Sequence, residues 1–382
     1  MFTDEEFTLL IYFTVSIGFV VFNMKYALCN GHNYSKLNSK PLWRDCYFLI
    51  PCLIYSFLLG FRYDFAYDWS QYKETFLYLE HGTLFREDTE IGYLFVNKVL
   101  ILLGLNYYSI FILEGFVWIL SIAMLLRKEK KYYLFSFLFV TILNRFDCLN
   151  ISRQFFAMSI LYIAYSFLLD NKKKYFLLFA LMAITVHSSA LIFVIPFYFL
   201  DKSYDVKLIY VLMIYFLLLI FREKVFDFII NSSTIVQGYI LTQKRYDADF
   251  ITNEMFMRQG VQLSRMIREG FVDISYILCY YSLKHNPKVS KKIETLLFLG
   301  MIGIIIRIAF GTNEITSRTA FYFTVFSHIG MGIMTTLAFT LQAKYKILYI
   351  LVGLIFIINL IFYDYSHILL EFSRHFYIQY NF

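Results

Sequence analysis

Long apolar runs separated by short turns rich in Lys and Arg constrain this chain more than any other feature. The runs are 7–23, 46–61, 107–126, 132–144, 151–169, 208–221, 270–283, 293–310, 319–341 and 347–363. Several fall a little short of the ~20 residues that a helix needs to cross the hydrocarbon core. With 59% hydrophobic and 16% charged residues, the chain carries far more apolar surface than one soluble core could bury. The expected fold is therefore all-α, a polytopic integral membrane protein in one membrane domain over 1–382. It should have ten full spans and a short helical hairpin at 175–200, or ten to twelve transmembrane helices in all.

Short cytoplasmic loops carry an excess of Lys and Arg, so these residues set the expected orientation. The segments 24–45, 127–131, 170–174, 201–207, 284–292 and 342–346 hold nineteen of the thirty-five basic residues and are placed inside. The acidic N-terminus, 62–91, 145–150, 222–269, 311–318 and the C-terminal tail then face outward. Both 62–91 and 222–269 are expected to be outer loops with interfacial helices. This alternation closes only if 175–200, two apolar pieces split by His187 and Ser188, leaves and re-enters the same side. His187 thus belongs at the outer tip of a helical hairpin. The start, MFTDEEF, is acidic where a cleavable signal would be basic, so 7–23 is expected to remain as an anchor. The net charge of +7 is accounted for by the inner clusters, and nucleic acid is not needed as a partner. The five scattered cysteines offer neither a disulfide framework nor a metal site, and no cofactor is implied.

Ionisable residues in or at the edge of a span are costly and draw attention to function. Arg62, Asp64 and Asp68 open the first outer loop and Glu90 closes it, while Arg153 and Gln154 begin the fifth span. With His187, Arg307 and Arg318 they are expected to border one outward-facing cavity. The long outer loop adds Lys244, Arg245, Arg258, Arg265 and Arg268, the last three at helical spacings of seven and three. The planar fork of Arg donates paired hydrogen bonds to phosphate oxygens, which makes a diphosphate a natural ligand. Plainer readings stand beside these. Arg62 and Arg318 could anchor to lipid headgroups, His187 could cap two short helices, and Asp64 and Asp68 could begin helices. The Arg stripe could be the solvated face of an interfacial helix. Glu114 and Lys98 read as packing or snorkelling residues.

The string from Arg62 through Asp64, Ala66 and Asp68 to Tyr72 resembles the Arg…Gly-x-Asp-Tyr-x-x-Tyr signature of the EpsG family of Wzy-like polysaccharide polymerases. Glu90-x-Gly92, Arg153-Gln154 with Ala157, a Lys-rich turn, His187-Ser-Ser-Ala190 and Arg318 with Tyr322-Phe323 follow in the family's order. Ala66 stands where the family usually has Gly, and Asp64 occupies a small-residue position. The resemblance implies a GT-C-like glycosyltransferase in the bacterial inner membrane that makes O-antigen or other lipopolysaccharide chains, capsule or exopolysaccharide. Its implied donor and acceptor are undecaprenyl-diphosphate-linked oligosaccharides, and its implied partners extend to a chain-length regulator and a flippase.

On that reading Arg62, Arg153, Gln154, Arg318, Arg245, Arg258 and Arg265 bind substrate, stabilising charge that builds on the leaving diphosphate. Asp68, Glu90 and His187 are the candidates for the base that takes the acceptor's proton, with His187 preferred for its place at the tip. Three other classes compete: a flippase or transporter for the same lipid-linked sugars, an O-antigen ligase-like glycosyltransferase, and a polysaccharide O-acyltransferase. A transporter should show internal repeats and a midplane site, neither of which the sequence displays. An acyltransferase should present its His and Arg to the inner side.

Overall fold

The computed structural model describes residues 18, 24–25, 31–61, 68–144, 148, 150–232, 263–310 and 314–340. Every regular element among them is helical. Those that position the site are α1 (Gly31–Asn38), α2 (Cys46–Gly60), α3 (Trp69–Glu80), α4 (Ile91–Leu102), α5 (Tyr108–Leu126), α6 (Tyr133–Leu143), α7 (Ser152–Leu168), α8 (Lys173–Val186), α9 (Ala190–Phe199), α10 (Leu208–Ser232), α11 (Leu263–Leu283), α12 (Lys291–Phe310) and α13 (Glu314–Thr340).

Among the described residues, three stretches are long and apolar enough to cross a bilayer by themselves: α5, α12 and the part of α13 from Ala320 to Phe339. Of the ten expected spans, 7–23 and 347–363 fall outside the described helices. The remaining expected spans each contain a helix, although α6 is only about 16 Å long. Some boundaries differ from those expected. α10 continues through Arg222, Glu223 and Lys224 to Ser232, because the apolar pattern resumes after that charged triplet. α11 begins at Leu263, so both flanks of the expected 222–269 loop are helical. The 62–91 segment contains α3, a helix with apolar residues mainly on one side: Trp69, Tyr72 and Phe76 are buried.

α7 is the centre of the bundle. All its residues except Arg153 and Phe167 are buried, packed on α5, α8 and α9 and bonded to α13 through Gln154 and Tyr162. Lipid supplies no hydrophobic drive between helices, so close packing relies on small residues. A Cβ on Gly303 of α12 would stand 2.3 Å from the Phe323 carbonyl oxygen of α13, and one on Gly332 of α13 would stand 2.3 Å from the Ser136 nitrogen of α6. Tyr276 of α11 reaches between α12 and α13, and its hydroxyl donates to the Leu297 carbonyl at 3.1 Å.

Direct bonds tie the basic turns together at one end. Asn38 donates to the Lys128 carbonyl at 2.6 Å, Lys130 pairs with Asp45 at 2.7 Å, and Arg127, Lys128 and Lys292 converge on Asp170. Lys284 meets Asp205, and Ser203 donates to Glu294, two residues beyond Lys292. Five of the six Lys/Arg-rich segments expected to share a side are linked in this way, while 342–346 lies outside the described residues. α8 leaves this end and α9 returns to it, where the Tyr165 hydroxyl donates to the Leu200 carbonyl. At about 21 and 15 Å, neither helix alone spans a hydrocarbon core of about 30 Å. His187, in an extended conformation (φ −154°, ψ 122°), forms the tip between them.

Candidate functional site

Glu90 is the N-cap residue of α4, but its carboxylate caps no backbone N–H of that helix. It turns instead toward the α8–α9 tip. Gly92 makes this possible: a Cβ there would lie 2.4 Å from Thr185 Oγ1 and 2.6 Å from the Thr185 carbonyl carbon, so only glycine lets α4 rest on the last turn of α8. At that crossing Glu90 Oε1 lies 2.5 Å from His187 Nδ1, and the Ser188 amide approaches the same oxygen at 3.4 Å. Glu90 Oε2 lies 2.8 Å from Arg153 Nη1, at the first turn of α7. That contact is an ion pair without an aligned N–H, which leaves Oε2 able to accept from a further donor.

The three side chains are 16%, 13% and 20% exposed for Glu90, His187 and Arg153, so they are neither sealed in the core nor fully in solvent. Burial alone would raise the Glu90 pKa. The hydrogen bond from His187 and the positive charge of Arg153 outweigh it and hold the carboxyl below its ordinary value. Among the described residues, His187 Nε2 has no hydrogen-bond partner, and the Arg153 guanidinium has none beyond its Glu90 contact. Arg153 also lies 5.9 Å from the centre of the Tyr93 ring. The arrangement can accept a proton at Nε2 and bind an anion at the guanidinium.

Further bonds hold the site in place. Gln154 is buried and its amide donates to the Arg318 carbonyl at 2.6 Å, joining the starts of α7 and α13. In this position Gln154 ties the two helix starts together through its amide nitrogen. Ser189 Oγ lies 2.9 Å from the Tyr322 hydroxyl, and Tyr322 stacks on Phe193 with centroids 4.1 Å apart. The hairpin tip is thereby fastened to α13. The buried Tyr72 hydroxyl approaches the Asn150 carbonyl at 3.5 Å, and burial followed by the Asp68 charge raises its pKa.

Asp68 is the partly exposed N-cap residue of α3, with no side-chain capping bond, and its charge bears on Tyr72. The Arg318 carbonyl is the acceptor for Gln154. Arg62, Asp64, Lys244, Arg245 and Arg258 lie outside the described residues, while Arg265 and Arg268 fall in the first turns of α11. Arg307 does not join the Glu90 group as expected. It pairs with Glu269 at 3.1 Å and Asp273 at 2.6 Å, and Tyr215 donates to the same Asp273. Those acids lie one helical turn apart on α11.

Three contributors were missed from sequence: Tyr93, Ser189 as a tether, and Glu114. Glu114 is buried on α5 beside a small cavity lined by Trp118, Ser152 and Phe155, and its charge bears on Tyr72 and Tyr93. A carboxylate in mid-span was itself the signal. Among the described residues no group of three His, Cys, Asp or Glu side chains is placed to hold a metal ion.

The family model described as EpsG matches residues 45–382, nearly the whole chain and every described residue of the site. The chain belongs to the EpsG family. EpsG proteins are membrane proteins related to Wzy-like polysaccharide polymerases, so this chain is a membrane protein of polysaccharide biosynthesis. Searches of the curated proteins and of the solved structures find no significant match. Glu90, Arg153, His187 and Tyr322, which carried the resemblance, are the residues that this EpsG chain gathers at one end of its bundle.

Proposed function

We propose that this EpsG-family chain is a polysaccharide polymerase, a GT-C-like glycosyltransferase of the bacterial inner membrane. It moves a growing undecaprenyl-diphosphate-linked glycan onto the next lipid-linked repeat unit at the outer face. The basic turns face the cytoplasm and the Glu90 end faces out, with both termini outside. The observation that carries this reading is the contact of one carboxylate with both His187 and Arg153.

In this mechanism Glu90 accepts a hydrogen bond from Nδ1–H and so fixes the His187 tautomer, leaving Nε2 as the base. The acceptor hydroxyl loses its proton to Nε2 as its oxygen bonds to the anomeric carbon of the donor. The bond from that carbon to the diphosphate oxygen breaks, and the lipid diphosphate leaves with the electron pair. The free donors of Arg153 stabilise the charge that develops on it, with Arg318 close by on α13. Glu90 also keeps Arg153 aimed before the ligand arrives.

The test is polymer length in a deletion strain complemented with variants expressed at equal levels. His187→Gln and Arg153→Ala are expected to leave single repeat units, and Arg153→Lys short chains. Full-length polymer from His187→Gln would overturn the assignment of the base. Loss of every repeat unit in the deletion strain would replace polymerase with ligase or flippase.

A further inference from the structure

The end of the bundle opposite Glu90 carries a second charged cluster that the proposed reaction does not use. Asp170, in the turn between α7 and α8, is the common partner of three cations. Arg127 Nη2 lies 2.5 Å from Oδ2, Lys128 Nζ 2.8 Å from Oδ1, and Lys292 Nζ 3.5 Å from Oδ1. The Asp170 side chain is 5% exposed. One carboxylate cannot neutralise three cations, so the cluster keeps an excess of two positive charges. Among the described residues the neighbouring acids are engaged elsewhere: Glu129 faces Lys131, Asp45 is held by Lys130, and Glu294 accepts from Ser203.

Lys292 is the least satisfied member. Its ammonium is shut off from solvent, and among the described residues its nearest partner is the long 3.5 Å contact to Asp170. A buried ammonium next to two like charges is costly unless a further anion completes it. Lys128, 61% exposed, marks the open side from which that anion would arrive.

The cluster also continues into an apolar path. The Arg127 guanidinium lies 5.1 Å from the centre of the Phe167 ring, which stacks on Tyr175 at 5.3 Å and on Phe179 at 5.4 Å. Phe167 is one of the few residues of α7 not buried, and Tyr175, Leu177, Leu178 and Leu181 are exposed along α8. A phosphate held by the cations would thus have its acyl chains lying along α8. A free phosphate would use only the first half of this surface.

We propose that Arg127, Lys128 and Lys292 form a binding site for the phosphate of an anionic phospholipid whose acyl chains lie against Phe167, Tyr175 and α8. The site is separate from the Glu90 group and does not depend on the polymerase reading. The lipid stabilises the joint between the 127–131 turn, the α7–α8 turn and the start of α12, which also holds the base of the hairpin.

The test uses the full chain in nanodiscs and in detergent. Native mass spectrometry after release from mixed phosphatidylglycerol and phosphatidylcholine discs is expected to show one retained phosphatidylglycerol. Lys292→Met and Lys128→Gln are each expected to reduce that adduct at least fivefold. Both variants should fold, because Asp170 keeps Arg127. Phosphatidylglycerol added in detergent should raise the Tm of the wild type and not of Lys292→Met, with little effect from inorganic phosphate at equal concentration. Equal retention of the two lipids, or undiminished adducts in both variants, would overturn the site. Equal stabilisation by inorganic phosphate would show a simple anion site and overturn the lipid assignment.

Discussion

A single carboxylate decides what this site can do. Glu90 holds His187 through one oxygen and Arg153 through the other, so its charge sets both the tautomer of the imidazole and the aim of the guanidinium. Glu90→Gln keeps the shape and removes the charge. It is expected to lower polymer synthesis by about a hundredfold or more, within the range of general-base effects, and full activity would mean that His187 needs no partner. The same change carries a pH signature. The Glu90 pKa is depressed in the folded protein, so its stabilising contribution is complete above the ordinary carboxyl value of 4.5 and is lost as pH falls through the lower folded value. Purified wild type should therefore exceed Glu90→Gln in stability near neutrality, by less than a sealed ion pair would give because all three side chains keep some exposure. Below pH 4.5 the gap should close, as read by Tm for the two proteins side by side. A gap independent of pH would mean that the pair contributes nothing as a pair.

Among the elements, the hairpin and α4 form the site by touching at one glycine. The 2.4 Å clearance at Gly92 concerns a side-chain oxygen, but the carbonyl carbon and oxygen of Thr185 lie at 2.6 and 2.7 Å, and backbone cannot step aside. Gly92→Ala should push α4 off α8, part Glu90 from His187, abolish polymer and destabilise by about 1–3 kcal/mol, the usual range for overpacking. Adding Thr185→Ala should not restore activity, and a rescue would show that the clash was only with Oγ1. Much at this scale was legible in the sequence. The apolar runs locate the helices, and the two short runs around His187 locate the hairpin, because run length against bilayer thickness is a one-dimensional property. The partners were less legible. That Arg307 faces Glu269 and Asp273 while Arg153 faces Glu90 depends on which helices adjoin, and Lys/Arg counting says nothing of that. Glu114 was passed over because a lone acid amid Phe, Ile and Trp reads as packing until its neighbours on α7 are known.

For the whole molecule, the joining of the basic turns is what gives the bundle two chemically distinct ends. One end is knit by Lys130–Asp45, the Asp170 cluster and Lys284–Asp205, and the other by Glu90, Arg153, His187 and the tethers to α13. Short loops rich in Lys and Arg are retained in the cytoplasm during insertion, so the proposed orientation rests on the first group and not on the site itself. Ser39, exposed beside the Lys130–Asp45 joint, and Glu87, exposed three residues before Glu90, report on opposite ends. In a background with the five native cysteines replaced, Glu87→Cys is expected to react with a membrane-impermeant maleimide in intact cells. Ser39→Cys should react only after the membrane is opened. The reverse pattern would turn the molecule over and put the Glu90 site on the side of nucleotide-sugar synthesis. A polymerase working on exported lipid-linked units would then be untenable, whatever its variants did to the polymer. Labelling of both positions in intact cells would break the premise that the basic turns share one side of the membrane, and the two-ended architecture with it.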